Sequence, residues 1–93
     1  MADIPNFDVQ QAHKYFSAEC FNKAWEKMEK DGNRSTDENM EMLHTAIASL
    51  WHWTHRNDVT DENFSVGYWQ VSRVFCLIEQ PVHFSGWMLS QRH

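Results

Sequence analysis

The segment Leu43–Arg73, LHTAIASLWHWTHRNDVTDENFSVGYWQVSR, decides the fold of this chain. It contains two stretches whose apolar residues have helical spacing, and the polar run RNDVTDEN separates them. The first stretch places Trp51 beside His52, and the second contains Gly67 and Trp69. Large rings and small residues at helical spacing are typical of closely packed helices. The segment therefore predicts an antiparallel helix pair, but it contains no pattern that specifies a reaction.

The chain has 93 residues, so we predict a single all-helical domain over residues 1–93. A domain of this size buries only about 60% of the surface of its unfolded chain, which leaves its stability thin. The five Trp and six Phe residues compensate, because each ring contributes a large apolar area to a small core. Neither a disulfide nor a metal is required for such a core.

Two helices are predicted before residue 56. The first runs from about Asp8 to Lys30, and Gly32 is expected to end it as a left-handed C′ residue. The second begins at Ser35, whose spacing from Glu38 is that of a capping box, and continues to about His55. We expect the second helix to pack against neighbours on two sides. The core-facing positions predicted from the periodicity are Ala12, Phe16, Cys20, Ala24 and Met28 in the first helix, and Met40, Leu43, Ile47 and Leu50 in the second.

Two further helices are predicted in the second half. Thr60 is the expected N-cap of the third, and Pro81 ends it or opens a short fourth helix that runs to about Ser90. The connections are short, so consecutive helices should be antiparallel. The fold class is therefore all-α, with three long helices and a short fourth. One face of the third helix is predicted to enter the core through Phe64, Tyr68, Val71, Phe75 and Ile78.

Charge and cysteine usage exclude several classes of protein. The formal net charge is −5 and the basic residues are dispersed, whereas nucleic-acid binding requires a clustered basic face. No apolar run approaches the ~18 residues that cross a bilayer, and the N-terminus lacks the pattern of a secretory signal. Cys20 and Cys76 have no CxxC spacing and are expected to be free, mostly buried thiols. We expect a cytoplasmic protein that binds no cofactor, nucleic acid or membrane.

The segment also supports a resemblance to a family. His52-Trp53, the spacing of Asn63, Gly67 and Trp69, and the run Ser72-Arg73-Val74-Phe75 resemble a pattern of small uncharacterised bacterial proteins. Those proteins are similar to tetratricopeptide-type helical hairpins. The resemblance covers about Leu43 to Ile78 and implies antiparallel hairpins, without implying an activity or a ligand. Two features depart from the family pattern, namely a longer loop before Asn63 and Glu79-Gln80 in place of a closing glycine.

The polar residues of the segment admit a catalytic and a structural interpretation. His52 with Ser49, Ser72 and Arg73 contains the groups of a catalytic cluster, but both serines lie within helices and no GxSxG motif is present. We favour a structural network of Ser49, His52, Ser72 and Arg73 that joins the second helix to the third, with Trp69 as a core ring. Arg73 is expected to pair with an acid of the third helix.

Metal binding is the alternative function. Glu41 and His44 form an E-x-x-H sequence, and His55 lies on nearly the same side of the predicted helix. That combination is used in small helical-bundle metalloproteins, which require a second E-x-x-H that this chain lacks. We favour the alternative that the histidines are a surface or half-buried set that packs beside Trp51 and Trp53.

Protein contact is the function that the composition favours. So small a body cannot bury all of its rings, and exposed aromatic residues with a polar rim mark contact surfaces. Trp51, Trp53 and Trp87 flank the predicted core stripes, so we expect them to form an interaction surface. We predict an interaction or self-assembly module without catalytic activity, whose partner is another protein or a second copy in a homodimer.

Overall fold

The computed structural model describes residues 4–30 and 32–79 and shows three α-helices in that part of the chain, with no strand. Helix α1 spans Val9–Met28, α2 spans Thr36–Thr54 and α3 spans Asp61–Ile78. The prediction of an all-α chain is confirmed. The short fourth helix predicted from Pro81 to Ser90 lies outside the described residues.

Side-chain caps define where the helices begin. Asp8 accepts from the Gln11 backbone N–H at 3.1 Å and caps α1. Ser35 and Glu38 form the predicted capping box, in which each side chain accepts from the other residue's N–H. Thr60 caps α3 as predicted, and Asn63 completes a second box there. Each cap satisfies backbone donors that a helix start otherwise leaves without partners.

The end of α1 differs from the prediction. The C-cap is Glu29, so Gly32 is not the C′ residue, although it does have the left-handed φ of +87°. The carbonyl oxygens at the end of α1 accept hydrogen bonds from Arg34 instead. Its guanidinium donates to the Lys27 carbonyl oxygen at 3.0 Å and to the Met28 carbonyl oxygen at 2.7 Å. A cationic side chain at this position also complements the negative end of the helix dipole.

Helix α2 is central and packs against both α1 and α3, while α1 and α3 touch each other sparingly. The expectation that α2 has neighbours on two sides is confirmed. Ser49 contacts Ser17, and His52 contacts His13, so α1 and α2 are antiparallel. The apolar centre consists of Ala24, Met42, Ala46 and Val74, one or two residues from each helix.

Small side chains, not large ones, lie where the helices come closest. Ser17 and Ala24 are the buried residues of α1, and Ser49 and Ala46 are among those of α2. Gly67 has the same role in α3, since a Cβ placed there would lie 2.9 Å from Cδ1 of Leu50. Small residues let backbones approach, and the larger side chains then pack around the line of contact.

This arrangement corrects the predicted core stripes. Phe16 is exposed rather than buried, because α1 turns Ser17 toward α2. Met40 and Ile47 of α2 are exposed, and so are Tyr68 and Phe75 of α3. The predicted apolar faces exist, but their centres are displaced from the lines along which the three helices pack.

Candidate functional site

A cluster of rings lies where the beginning of α1 meets the end of α2. We call it the histidine–tryptophan cluster, and its members are His13, Trp51, His52 and His55. The centroids of Trp51 and His55 are 4.1 Å apart, and His13 lies 5.5 Å from Trp51 and 5.1 Å from His52. Phe16 extends the cluster along α1, with its ring centroid 5.6 Å from that of His52. The antiparallel register of α1 and α2 brings these residues together.

A direct contact between two imidazoles organises the cluster. Nδ1 of His13 and Nδ1 of His52 are 2.9 Å apart, a hydrogen-bond distance. One nitrogen must donate its N–H and the other must accept with its lone pair, so the contact tolerates one positive charge but not two. Burial lowers the pKa of His52, and the neighbouring His13 and His55 lower it further. The lowered pKa favours the uncharged form of the His52 imidazole.

His55 fixes the position of Trp51. Nδ1 of His55 lies 2.8 Å from the Trp51 carbonyl oxygen, which can only accept, so this nitrogen donates. The same side chain stacks on the indole of Trp51. Trp51 nevertheless keeps 51% of its surface exposed. It is therefore a ring that is held in one place and still open on its outer side.

The loop after α2 is attached to α1 by side chains that the sequence did not single out. The Gln10 side-chain amide donates to the His55 carbonyl oxygen at 2.9 Å and accepts from the Asn57 N–H at 2.9 Å. Arg56 binds both carboxylate oxygens of Asp58, each at 2.8 Å. This pairing lowers the pKa of Asp58 to about 2 and raises that of Arg56. The loop is thus a fixed support for the histidine–tryptophan cluster.

Arg56 also accounts for the position of Trp53. Its guanidinium carbon lies 4.1 Å from the centroid of the Trp53 indole, a cation–π contact. It donates in addition to the Ser17 hydroxyl at 3.1 Å. Trp53 is therefore half-buried beneath an arginine, whereas Trp51 is open. Trp87, the third residue of the predicted interaction surface, lies outside the described residues.

The prediction that a polar network joins the second helix to the third is wrong, because its α2 residues contact α1. Ser49 donates to the Ser17 carbonyl oxygen at 2.9 Å, and His52 contacts His13, so both residues join α2 to α1. Trp69 also faces α1, where its ring centroid is 5.6 Å from that of Trp25. Because it packs at an edge, Trp69 is 46% exposed and is not the core ring that was expected.

The α3 members of that network are at the surface. Ser72 and Arg73 are exposed, and Arg73 takes part in none of the ion pairs between described residues. Gln70 makes the polar contact from α3 to α1 instead, since its amide donates to the Phe21 carbonyl oxygen at 3.0 Å. A sequence pattern could have identified Gln70 only through its helical phase with Gly67 and Val74, which places it on the buried side.

The proposed metal ligands do not converge. Glu41 and His44 precede His55 by many residues on the same helix, and eleven residues at a rise of about 1.5 Å separate the two histidines by about 16 Å. His44 is exposed, and His55 belongs to the histidine–tryptophan cluster. Within residues 4–30 and 32–79, no three His, Cys, Asp or Glu side chains have the arrangement of a metal site.

A depression with charged walls lies near the connection between α1 and α2. Its lining includes Lys30, Arg34, Glu38 and Glu41. Lys30 pairs with Glu38, and this hydrogen bond lowers the pKa of Glu38 to about 2. Arg34 is engaged by the carbonyls at the end of α1. These charged side chains stabilise the connection between α1 and α2. The depression is therefore a weaker candidate for a functional site than the histidine–tryptophan cluster.

The two cysteines are free, as expected, but Cys76 is exposed and not buried as predicted. Cys20 is partly buried, which raises the pKa of its thiol, and nearby Glu19 raises it further. A raised pKa keeps the thiol protonated and unreactive at neutral pH.

None of the protein-family models, curated proteins or solved structures compared with the chain matches it. Among the described helices, none is both long and apolar enough to cross a membrane.

Proposed function

We propose that this chain is a protein-contact module that self-associates through the histidine–tryptophan cluster and has no catalytic activity of its own. The observation that carries the proposal is Trp51, a large ring that is half exposed yet held by His13 and His55. A ring already fixed in place loses little conformational freedom on binding, and such aromatic anchors contribute most to affinity at protein interfaces.

The apolar surface around Trp51 is continuous with α1. Phe16 contacts His52, and Tyr15 packs edge-on against Phe16 with ring centroids 5.0 Å apart. Both rings are exposed. The proposed surface therefore extends from Trp51 across the histidines to Tyr15.

The free energy gained by burying the exposed part of Trp51 is sufficient for a weak dimer. Covering the open half of one indole removes about 100 Å² from water, which at ~25 cal/mol per Å² contributes about 2.5 kcal/mol. A two-fold axis doubles every contact, because each subunit presents the same patch to the other. Two indoles and the neighbouring rings then exceed the lower end of the cost of association, roughly 4 kcal/mol. We propose a two-fold homodimer.

The proposal includes a tetratricopeptide-like arrangement with a short fourth helix after α3. The two consecutive antiparallel pairs, α1 with α2 and α2 with α3, support it. We assign the protein to the cytoplasm, and the free thiols of Cys20 and Cys76 support a reducing compartment. The resemblance to uncharacterised bacterial helical proteins stays a prediction.

Sedimentation velocity over a micromolar concentration series tests the proposal. The wild-type chain should approach twice its 11.1 kDa monomer mass as concentration rises. Trp51→Glu should stay monomeric and keep the helical circular dichroism spectrum of the wild type. Trp69→Glu is the matched control, because Trp69 is also about half exposed and also packs on a second ring, but on α3. A wild-type chain that is monomeric throughout, or dimers that survive Trp51→Glu, would contradict the proposal.

A further inference from the structure

Met40 and Ile47 of α2 and Tyr68 and Phe75 of α3 are exposed apolar residues. Their helical phase places them along the line where α2 and α3 meet, and we call this apolar strip the outer groove. Val71 lies on the same stripe of α3 and is half-buried. Four exposed apolar residues on two adjacent helices form a larger patch than scattered surface residues do. Such a groove is covered in most folded proteins of this size.

Helical phase places both stripes on the side away from α1. At about 100° per residue, Met40 and Ile47 are on the flank of α2 next to Leu50, which meets Gly67 of α3. Ser49, which contacts α1, is on the opposite flank of α2. On α3, Gly67 faces α2 and the Trp69 ring contacts Trp25 of α1. Tyr68 and Phe75 are about 80–100° around the helix from Gly67, on the flank away from Trp69.

We propose that the outer groove is the docking site of the chain's own residues 81–90, PVHFSGWMLS. This segment follows the end of α3 at Ile78 after two residues, so a reversal of direction brings it back along α3. Proline at its first position suits the first turn of a helix. Phe84, Trp87 and Met88 have the i, i+3 and i+4 spacing that puts three apolar side chains on one helical face.

The lengths of the segment and the groove agree. Tyr68 and Phe75 are seven residues apart, which is about 10 Å along α3. A helix over residues 81–90 would be about 15 Å long, so after a reversal of direction it would be long enough to reach back to Tyr68. Trp87 is then an anchor within one subunit and does not belong to the surface around Trp51. Docking of this segment does not require self-association, because the segment and the outer groove belong to the same chain.

A double-mutant cycle in the full chain tests the docking. Phe75→Ala and Trp87→Ala should each lower the thermal unfolding midpoint by about 4–8 °C, the shift expected for about 1 kcal/mol in a domain of this size. If the two side chains touch, the double variant should lose clearly less than the sum of the single shifts. Phe16→Ala combined with Trp87→Ala is the control, because Phe16 is 44% exposed, close to the 46% of Phe75, but lies on α1. Its shifts should add.

Two results would overturn the proposal. The first is additive shifts for Phe75 with Trp87, repeated when the milder Met88→Ala replaces Trp87→Ala in case the latter unfolds. The second is coupling that grows with protein concentration, which would show that the segment of a second copy fills the groove. Coupling that is independent of concentration, including in the Trp51→Glu monomer, supports docking within one chain and separates this inference from the proposed dimer.

Discussion

The close approach of α2 and α3 at Gly67 allows a quantitative prediction for Gly67→Ala. Alanine gains about 0.8–1.0 kcal/mol over glycine in a helix interior. Its Cβ would lie 2.9 Å from Leu50 Cδ1, so Leu50 or the helix must shift, and overpacking of this kind costs about 1–3 kcal/mol. The net expectation is a loss of up to about 2 kcal/mol. In a Leu50→Ala background the obstructing methyl is absent, so the same substitution should stabilise by about 1 kcal/mol.

Urea denaturation of the four chains measures this difference directly. Wild type, Gly67→Ala, Leu50→Ala and the double variant form a cycle whose coupling should be about 1–3 kcal/mol. The sign of the Gly67→Ala effect should reverse between the two backgrounds. If alanine at position 67 stabilised both backgrounds equally, Gly67 would not be a point of close contact and the packing of α3 on α2 would be wrong.

Three further variants test individual contacts. Because the folded state lowers the pKa of His52 from 6.5, it binds fewer protons than the unfolded chain, so stability should be complete above about pH 6.5 and fall as pH drops through the folded-state pKa. His52→Gln should flatten that part of a pH–midpoint curve, and an unchanged curve would exclude His52 as its source. Gln70→Met removes a buried amide oxygen that has no partner among the described residues, but it also removes the hydrogen bond to the Phe21 carbonyl oxygen. The two effects should nearly cancel, so urea denaturation should show a change within about 1 kcal/mol, whereas a loss of about 3 kcal/mol would contradict this reasoning. Trp69→Ala should cost about 1–2 kcal/mol in the same assay, because its ring is half exposed where it packs on Trp25; a cost of about 3–5 kcal/mol would show that Trp69 belongs to the core.

Features determined by residues close in the chain were predictable from the sequence. Ser35 and Glu38 are three residues apart, and Thr60 precedes two acids at the start of α3, so their caps follow from local spacing. The all-α class follows from apolar periodicity in the same way. These interactions are formed within a single turn, so they depend on local spacing and not on the pairing of the helices.

The helix faces and the site depended on contacts between distant residues. Apolar periodicity alone predicts that Phe16, and not Ser17, faces the core. The backbones of α1 and α2 nevertheless come together at Ser17 and Ser49, which only the pairing of the helices reveals. His13 was missed for the same reason, since it meets His52 across 39 residues of sequence. The local sequence predicts only that Arg56 lies in a loop. Its contacts with Trp53 and Asp58, which stabilise the site, are seen only in the structure.

The measurement that tests self-association through Trp51 most directly is a dilution series followed by the indole N–H signals of the protein in nitrogen-15 NMR. The five tryptophans give five such signals, which single Trp→Phe variants assign. The Trp51 signal should move or broaden as concentration rises, while those of Trp25 and Trp69 on the other side of the helices stay constant. Five signals that do not change with concentration, or a change at Trp25 and Trp69 without one at Trp51, would contradict the account.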